Sequence, residues 1–455
     1  MDIALFGVGQ HTDKFIDIIN YFGGTIICLA DNDEKKIGMV FRGIKVISPK
    51  ALLGTECKII VSCIYRKEIE VQLSEMGIDS RLISLSSFLE FSGGREPWSK
   101  EKYVICMDLF SKAKWGGAEN WNMVLANALV QKGKKTVITY ARSLEMAQNC
   151  VDGELLEFKC FQLENAFEEI IEYYKEKIPL VFVNTFYGDN FFAALALKKM
   201  YPEKVRIINV IHNDRQPHYK LAVLFDEWID QYLCVSSKIQ ETLINIYGIS
   251  IERVNFLHQP INLTENFRKK FDDASPIRLG IASRLVKEQK RCDLIPRLIR
   301  SLEERCVDYV MSIAGDGELA ETIYDYVKDN NLVEKIQILG HLSKEKMADF
   351  WEMQDIYINI SEYEGTSLSM LEAMERGCVP LVTNVSGVKD YICDGYSGFV
   401  FDIGDLRHIA EKVRYLDSNR QLLQKMGAAA KQEVWSKCSV ADYADGLIGI
   451  VEDMS

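Results

Sequence analysis

The chain has 455 residues, of which 48% are hydrophobic and 26% charged, and its formal net charge is −12. This length predicts two or three domains, and the composition is that of a globular protein. The acidic balance argues against a nucleic-acid-binding protein, because non-specific binding depends on basic side chains that neutralise phosphates. The twelve cysteines form no CxxC pair or other zinc-ligand spacing, so we expect reduced thiols in the core of a cytoplasmic protein.

Targeting and membrane segments are not expected from the sequence. The opening run MDIALFGVGQ lacks the basic region and long apolar stretch of a signal peptide. No apolar stretch approaches the ~20 residues that cross a bilayer. We therefore expect a cytoplasmic protein, at most peripheral at the inner face of the membrane. Residues 110–117 and 198–206 carry the basic and aromatic side chains that membrane contact needs, although a solvated surface is the simpler interpretation of both.

Residues 1–95 open with a strand, a glycine-containing turn and a helix, the pattern of a small Rossmann-like domain. Gly7 and Gly9 stand in the turn and Asp31 ends the second strand, where a phosphate and a ribose would bind. Thr12 stands near the place of the third glycine, which makes the fingerprint incomplete. The segment resembles domains attached to bacterial sugar-modifying acetyltransferases and nucleotide-sugar enzymes. That resemblance implies an interaction or regulatory role, with nucleotide-sugar binding as the alternative.

Beyond the Gly- and Pro-containing segment 92–102, apolar strand-like runs alternate with segments of helical period. Examples are YVICMDL (103–109), RIINVIH (206–212), RLGIAS (278–283) and IYINIS (356–361). Short apolar strands separated by helices predict buried parallel sheets and a doubly wound α/β fold. A polar stretch at 262–276 divides this part of the chain. The predicted domains are 1–95, 96–265 and 266–435, with residues 436–455 packing back onto the second.

Two basic residues follow the strand RLGIAS: Arg284 directly after it, and Lys290 six residues further on. Cations at the carboxyl end of a parallel strand can clamp a diphosphate, the arginine through two hydrogen bonds and the lysine as a point charge. Lys287 is the second choice for the lysine. The alternative interpretation is a polar loop with exposed basic side chains.

The strongest local signal is SEYEGTSLSMLEAMERGCVPLV at 361–382, in which a strand, a tight turn and a helix follow one another. Such a helix N-terminus is an anion site, because its amides lack partners inside the helix. The amides expected to point at a phosphate are those of Thr366, Ser367 and Leu368. The carboxylates of Glu364 and Glu372 suit hydrogen bonds to neighbouring hydroxyls of a sugar or ribose. Alternatively, Glu364 is a charge near a helix start and Glu372 a solvated one.

Seven segments in this order resemble glycosyltransferase family 4, over residues from about 100 to 450. They are GGAE at 116–119, Ser236-Ser237, SRL with its lysine at 283–290, AGDGE at 314–318, Gly340, residues 364–382 and residues 386–401. The resemblance implies an α/β GT-B fold, in which two Rossmann-like lobes face a cleft, with residues 1–95 as an additional domain. It also implies retaining transfer of a sugar from a nucleotide-diphosphate donor.

The family resemblance assigns roles to individual residues. The catalytic set it implies is Glu364, His212, Arg284 and Lys290. The donor-binding set is Gly117, Arg284, Lys290, Gly340, Glu364, Gly365, Thr366, Ser367, Leu368 and Glu372. In this scheme Arg284 and Lys290 hold the diphosphate, Glu372 binds the ribose and Glu364 faces the transferred sugar. The remaining implied contacts are Gly117 to the phosphates, backbone groups at Gly340 to the base, and His212 near the reacting carbon, where a buried core histidine is the alternative.

Three features depart from the family pattern. Gln259-Pro260 replaces the usual Asn-Gly turn before the linker, and Asp390 replaces the commoner glutamate, which shortens that side chain by one methylene. The lysine normally stands five residues after the arginine, where this chain has Gln289. Neither of the first two removes a diphosphate contact, although Asp390 bears on the choice of sugar.

The expected reaction uses a nucleotide-sugar donor, most simply a UDP-sugar, and no metal or other cofactor. Metal-dependent GT-A enzymes hold their ion with Asp-x-Asp, and the one such match, Asp31-Asn32-Asp33, reads as a turn after a strand. Glycan, lipid-linked and protein acceptors all fit, in bacterial surface polysaccharide or glycoprotein synthesis, and contact with a second copy stays open. The alternatives are a non-catalytic nucleotide-sugar-binding partner of another transferase, and a nucleotide-sugar epimerase or phosphorylase.

Overall fold

The computed structural model describes residues 1–91, 102–109, 117–141, 154–161, 166–264, 271 and 275–454. Within this part the chain forms three sheets, in which neighbouring strands run parallel except for one short antiparallel pair. Helices connect most of the consecutive parallel strands, as is usual for such crossovers. This is the predicted α/β class. None of the helices in the described ranges is long and apolar enough to span a bilayer.

The first sheet is built from residues 2–61 and has the strand order β3-β4-β2-β1-β5. Its strands are β1 (Asp2–Phe6), β2 (Thr25–Ala30), β3 (Val40–Phe41), β4 (Ile44–Ile47) and β5 (Lys58–Val61). The accompanying helices are α1 (Thr12–Tyr21), α2 (Arg66–Glu75) and α3 (Leu85–Phe88).

The second sheet defines what we call the middle lobe, and its strand order is β12-β11-β10-β9-β6-β7-β8. Its strands are β6 (Val104–Leu109), β7 (Thr136–Ala141), β8 (Leu156–Phe161), β9 (Leu180–Asn184), β10 (Val205–Ile211), β11 (Gln231–Cys234) and β12 (Val254–Phe256). Its helices are α4 (Gly117–Gln131), α5 (Ala166–Lys175), α6 (Asp189–Met200), α7 (Gln216–Leu224) and α8 (Ser237–Asn245). Every residue of β6, β9 and β10 is buried, which explains why these strands are mostly apolar.

The third sheet defines the C-terminal lobe, with the order β15-β14-β13-β16-β17-β18. Its strands are β13 (Ile277–Ala282), β14 (Tyr309–Ala314), β15 (Ile336–Gly340), β16 (Ile356–Asn359), β17 (Val379–Thr383) and β18 (Phe399–Phe401). Its helices are α9 (Ile295–Glu303), α10 (Ala320–Asp329), α11 (Lys344–Glu352), α12 (Leu368–Glu375) and α13 (Leu406–Asp417). The chain ends with α14 (Arg420–Lys437) and α15 (Val440–Asp453).

Residues 1–91, which we call the N-terminal unit, and the middle lobe share one continuous hydrophobic core. The Phe15 ring on α1 lies 5.3 Å from that of Phe192, and Phe91 stacks on Trp228 with ring centroids 4.0 Å apart. Lys14 adds an ion pair at the same contact, 2.5 Å from Asp189. Because apolar burial is the main stabilising term in packing, residues 1–91 are held as part of the middle lobe.

The last helix, α15, packs against α4 of the middle lobe. Tyr443 meets the Trp121 ring edge-on at 5.9 Å, and Lys132 forms an ion pair with Asp445 at 2.5 Å. The preceding helix, α14, packs on α12 of the C-terminal lobe. The chain therefore crosses back between α14 and α15. The predicted boundaries at residues 95, 265 and 435 stay predictions.

Candidate active site between the lobes

The strand order of the C-terminal lobe changes direction between β13 and β16. Strands β13, β14 and β15 extend one way across the sheet and β16, β17 and β18 the other. In open parallel sheets, ligands bind in the crevice that opens beyond the strand ends at such a point. Arg284 follows β13 and Glu364 follows β16, so the topology brings both predicted residues to this crevice.

Glu364 is buried, with 5% of its surface exposed, and is held by three side chains. Its Oε1 accepts hydrogen bonds from Lys290 Nζ at 2.5 Å and Ser361 Oγ at 2.8 Å, and its Oε2 accepts one from Gln289 Nε2 at 3.3 Å. Charged side chains are buried only when they are paired and hydrogen-bonded in this way. The contacts fix the orientation of the carboxylate before any ligand is bound.

Arg284 is exposed to the cavity between the lobes and donates a hydrogen bond to Gln289 Oε1 at 2.8 Å. Gln289, which occupies the usual lysine position of the family, therefore connects Arg284 to Glu364. Lys287 is exposed, lies outside the cavity lining, and its amide contacts Glu318. Of the two candidate lysines, the structure brings Lys290 into the cavity.

The N-terminus of α12 opens onto the same cavity. Ser367 is the N-cap residue, and its Oγ accepts a hydrogen bond from the Met370 amide at 3.4 Å. Thr366 Oγ1 donates a hydrogen bond to the Val235 carbonyl of the middle lobe at 2.7 Å. The turn before α12 is thus fixed from both lobes, with the positive end of the helix dipole at the cavity.

Gly365 and Gly117 lie at the contact between the lobes. A Cβ atom at Gly365 would stand 2.0 Å from the His212 carbonyl oxygen. Only glycine therefore allows the two backbone segments to approach this closely. A Cβ atom at Gly117 would stand 3.6 Å from Leu368 Cδ1, an ordinary contact distance. Gly365 therefore has a structural role beside the donor contact that we predicted for it.

His212 follows β10 and lines the cavity from the middle lobe. Its Nε2 is buried and has no hydrogen-bond partner among the described residues, and its ring meets Trp121 edge-on at 4.9 Å. Burial lowers the pKa of His212 to about 3, with the neighbouring His218 acting in the same direction. The imidazole is therefore neutral.

The central cavity, as we call this space, has a volume of about 470 Å³. The predicted site residues that line it are Gly117, His212, Arg284, Lys290, Glu364, Gly365, Thr366, Ser367 and Leu368. Glu372 instead lines an adjoining cavity of about 220 Å³, which shares Trp121 and Leu368 with the first. Gly340 lines neither, and its carbonyl accepts a hydrogen bond from the Gly315 amide at 2.7 Å. The donor roles of Glu372 and Gly340 stay predictions.

Sequence reasoning missed several residues of the cavity wall. They are Glu119, Trp121, Phe186, Asn213 and, as a ligand-facing residue, Gln259. Glu119 and Trp121 stand on the first turns of α4 after Gly117, so the glycine turn pointed to them. Phe186 lies in the loop after β9, and nothing in its sequence context marks it as exposed to a ligand.

The other departures from the family pattern lie at the contact between the lobes. The carboxylate of Asp390 accepts a hydrogen bond from the Ser237 amide at the start of α8, at 3.0 Å. The Gln259 amide donates to the hydroxyl of Tyr391 at 2.7 Å. Both contacts join the middle lobe, or the segment leaving it, to the C-terminal lobe. Neither residue touches Arg284 or Lys290 in the contacts described.

In the N-terminal unit, side chains of the same unit bind the amides of the glycine-containing turn. The Val8 amide donates to Asp31 Oδ2 and the Gly9 amide to Thr12 Oγ1, each at 2.7 Å. The Asp33 amide donates to Asp31 Oδ1 at 2.8 Å, which makes Asp31-Asn32-Asp33 a turn after β2. Two of the backbone donors that such a turn could offer to a phosphate, the Val8 and Gly9 amides, are therefore occupied.

Comparisons with known proteins agree with this architecture. Residues 263–433 match the family model described as glycosyl transferases group 1, and residues 1–84 match C2185-like, N-terminal. N-acetyl-alpha-D-glucosaminyl L-malate synthase of Bacillus anthracis is 25% identical over 261 residues, which cover 54% of this chain and 67% of that relative.

Two solved structures show the fold. The S. aureus TarM complex with fondaparinux, alpha-GlcNAc-glycerol and UDP aligns with a TM-score of 0.63 at 13% identity, over 76% of this chain and 99% of that one. Anabaena HepE with UDP and glucose aligns with a TM-score of 0.63 at 13% identity, over 78% and 100%.

The predicted fold class, a GT-B arrangement with an additional N-terminal unit, is confirmed. The narrower assignment to family 4 and the resemblance of residues 1–95 to acetyltransferase-associated domains stay predictions, since the N-terminal match is to a differently named family. The group 1 match over residues 263–433 and the GT-B fold together place this chain among the glycosyltransferases.

Proposed function

We propose that the chain is a retaining, metal-independent transferase that moves a sugar from a UDP-sugar to a glycan, lipid-linked or protein acceptor. One observation carries the proposal: Arg284, Lys290, Glu364 and the N-terminus of α12 line the same cavity between two lobes. Two cations and the positive end of a helix suit a pyrophosphate, and a buried carboxylate beside them suits a hydroxyl-bearing sugar.

The two cations offset the negative charge that develops on the departing diphosphate. Stabilisation of this kind is most effective where the groups are already in place and water is excluded. Lys290 is held 2.5 Å from Glu364, and an ammonium group has three protons, so it can contact that carboxylate and a phosphate oxygen together. We propose that Arg284 and Lys290 do the work for which other transferases use a divalent metal.

Glu364 and His212 face the transferred sugar in this proposal. The carboxylate accepts a hydrogen bond from a sugar hydroxyl, and the neutral imidazole of His212, which lines the same cavity, packs beside the sugar. The bond between the anomeric carbon and the phosphate oxygen breaks, and the acceptor oxygen forms its new bond on the same face. The acceptor proton passes to the leaving phosphate oxygen, so the configuration is retained.

The remaining donor contacts follow from the position of the diphosphate. Glu372 lies further along α12, in the cavity next to the central one, where a ribose would extend from the diphosphate. Gly340, at the end of β15, is assigned to the base. UDP is the preferred nucleotide because both aligned crystal structures contain it. Bacterial surface polysaccharide or glycoprotein synthesis is the proposed setting.

The test is donor hydrolysis and transfer by the purified full chain. UDP-glucose, UDP-galactose and UDP-N-acetylglucosamine are each incubated with and without EDTA, and release of UDP is measured. We expect release from at least one donor, unchanged by EDTA, and NMR of the product should show the anomeric configuration of the donor. EDTA-sensitive release or an inverted product would contradict the proposal.

A non-catalytic partner subunit is the second candidate. Such a subunit would bind UDP but would not cleave any UDP-sugar, even when a mixture of glycosides is offered as acceptor. UDP binding measured by calorimetry together with absent turnover would favour this role. The ordered Lys290–Glu364 pair, which such a subunit does not need for nucleotide binding alone, favours the enzyme.

A further inference from the structure

The loop after β9 lies between the central cavity and the N-terminal unit. Phe186 lines the cavity, and the next residue, Tyr187, meets the ring of His11 on the N-terminal unit, with ring centroids 6.2 Å apart. Burial lowers the pKa of His11, and a hydrogen bond to the Tyr187 backbone acts in the opposite direction. Consecutive residues of one short loop therefore contact the proposed active site and the additional unit.

The helix that follows this loop is held by the same part of the N-terminal unit. Asp189 is the first residue of α6, and its carboxylate forms an ion pair with Lys14 on α1 at 2.5 Å. The two side chains are 18% and 15% exposed, so water and salt screen this pair less than a pair on the open surface. One turn further along α6, Phe192 packs on Phe15 with ring centroids 5.3 Å apart. The first turns of α1 and α6 are therefore held together.

The middle lobe anchors the same loop from its other side. Thr185 Oγ1 donates a hydrogen bond to Asn122 Oδ1 at 3.3 Å, and the Tyr187 hydroxyl accepts one from Asn209 Nδ2 at 2.7 Å. These contacts fix the residues on either side of Phe186. A loop that is ordered before a ligand arrives costs less entropy on binding and holds the reacting geometry more closely.

The end of α1 that makes these contacts has another use in nucleotide-binding domains. His11 is the N-cap residue of α1, and Lys14 lies in its first turn. In a dinucleotide-binding domain this end of the helix faces a phosphate. Here the Val8 and Gly9 amides are bound by side chains of the unit, and the side chains at the start of α1 contact the middle lobe. This arrangement favours a role within the chain over nucleotide binding.

We propose that the N-terminal unit is a positioning element of the active site, in which His11 and Lys14 hold the loop after β9 and so keep Phe186 in place in the central cavity. The inference rests on the proposed function for the meaning of that cavity. Neither residue is among the described residues that line the cavity, so both act through the loop. Their loss should change transfer more than UDP binding, because the cations proposed to hold the diphosphate stand on the C-terminal lobe.

The first experiment measures the loop directly, by hydrogen–deuterium exchange of the full-length protein. We expect Lys14→Met to speed exchange in the segment 184–193 about tenfold, because the ion pair that holds the start of α6 is lost. Lys14→Arg keeps the charge and should restore slow exchange. The matched control is Lys220→Met, which removes another ion pair between the N-terminal unit and the middle lobe, 3.0 Å from Glu68, and should leave this segment unchanged.

Two results of this experiment would overturn the inference, whether or not the chain proves to be a transferase. One is equal exchange of the segment 184–193 in Lys14→Met and the unmodified protein. The other is faster exchange spread over the whole middle lobe, because that would show a general loss of stability and no specific hold on the loop.

The second experiment measures catalysis with the active UDP-sugar. We expect His11→Ala to lower kcat for transfer about fivefold, while the Kd and the stoichiometry of UDP binding, measured by calorimetry, change less than about twofold. His11→Gln keeps a side-chain hydrogen-bond donor and should recover most of the rate. A fall in the stoichiometry of UDP binding that matches the fall in kcat would mean that His11 serves only the stability of the protein, and would overturn its positioning role.

A double-mutant cycle tests whether His11 acts through Phe186. If it does, His11→Ala should slow a protein that already carries Phe186→Leu by less than about twofold, because the two residues then act on one step together. Additive losses would overturn the inference, as would a Phe186→Leu variant that transfers at the unmodified rate. Absence of UDP release from every donor in the unmodified protein would instead contradict the proposed function, and the exchange measurement would still decide whether His11 and Lys14 hold the loop.

Discussion

The middle and C-terminal lobes present the same structural device with opposite chemistry. Each sheet changes direction once, and each crevice at that point opens onto the central cavity. The C-terminal lobe places Arg284 and Lys290 there, with an ion pair to Glu364. Among the described residues, the middle lobe places Phe186 and the buried Glu119 there. The comparison teaches that the same sheet topology can present cations on one side of a cavity and an aromatic ring with an acid on the other.

The largest expected effect comes from removing the arginine of the C-terminal lobe. Arg284→Ala should lower kcat/KM for UDP release about 100- to 1,000-fold, because a preorganised cation facing the leaving group is lost. Steady-state UDP release measures it. Lys287→Ala is the control, since Lys287 lies near Arg284 but outside the cavity lining, and should change the rate less than twofold. Similar losses in both variants would show that only the general positive charge of the loop matters.

The second largest effect on the rate of transfer is expected from a substitution of Glu364. Glu364→Gln keeps the shape and removes the charge that holds Lys290 and meets the sugar. Charge-assisted hydrogen bonds contribute roughly 1.5–3 kcal/mol, so we expect about 10- to 100-fold slower transfer. Glu362→Gln, in the same loop but paired with Arg291 outside the central cavity, is the control. An unchanged rate for Glu364→Gln with every active donor would remove Glu364 from its assigned role.

Predictability from sequence differed between the two lobes for a physical reason. The residues of the C-terminal lobe follow their strands closely, in charged and glycine-containing segments. Spacing therefore pointed to Arg284, Lys290 and Glu364 one by one, and the family resemblance assigned them to one site. Phe186 belongs to no such pattern, because an aromatic residue in a loop looks the same in sequence whether it faces a core or a ligand. Its exposure depends on Thr185 and Tyr187 being anchored by distant residues.

The sequence also did not predict how closely the two lobes approach each other. Gly365 was predicted only as a member of the donor-binding set, and the structure adds that its lack of a side chain allows the close approach of the His212 carbonyl. The effect of Asp390 on sugar choice stays a prediction, and the structure adds that its carboxylate binds the Ser237 amide at the start of α8. Contacts between lobes depend on how two sheets are placed against each other, which local pattern does not specify. The alternating strands and helices did specify the α/β class.

A smaller effect is expected from a substitution that moves the two lobes apart. Gly365→Ala puts a methyl group 2.0 Å from the His212 carbonyl oxygen, so the lobes must move apart. We expect transfer to fall about tenfold while UDP binding changes little, because positioning between lobes is lost before donor contacts are. Gly449→Ala, on α15 with open space around it, is the control and should be neutral. Weakened UDP binding equal to the loss of transfer would mean that Gly365 serves the donor alone.

The last prediction concerns stability and not catalysis, where we expect the smallest effect, and involves the buried Asp108. The pKa of Asp108 is raised to about 7 by burial, above its value of ~3.9 in an unfolded chain. The folded state therefore holds its proton more tightly, and the stability that Asp108 contributes falls as pH rises from about 4 to about 7, by up to about 4 kcal/mol. Asp108→Asn cannot ionise and keeps an oxygen for the Thr185 amide, so it removes this dependence. We expect the Tm of the unmodified protein, relative to that of Asp108→Asn, to be lower at pH 8 than at pH 5. Asp329→Asn, an exposed acid on α10, should show no such trend. Parallel Tm curves for the unmodified protein and Asp108→Asn would mean that water solvates Asp108 in the folded state. Burial would then not raise its pKa.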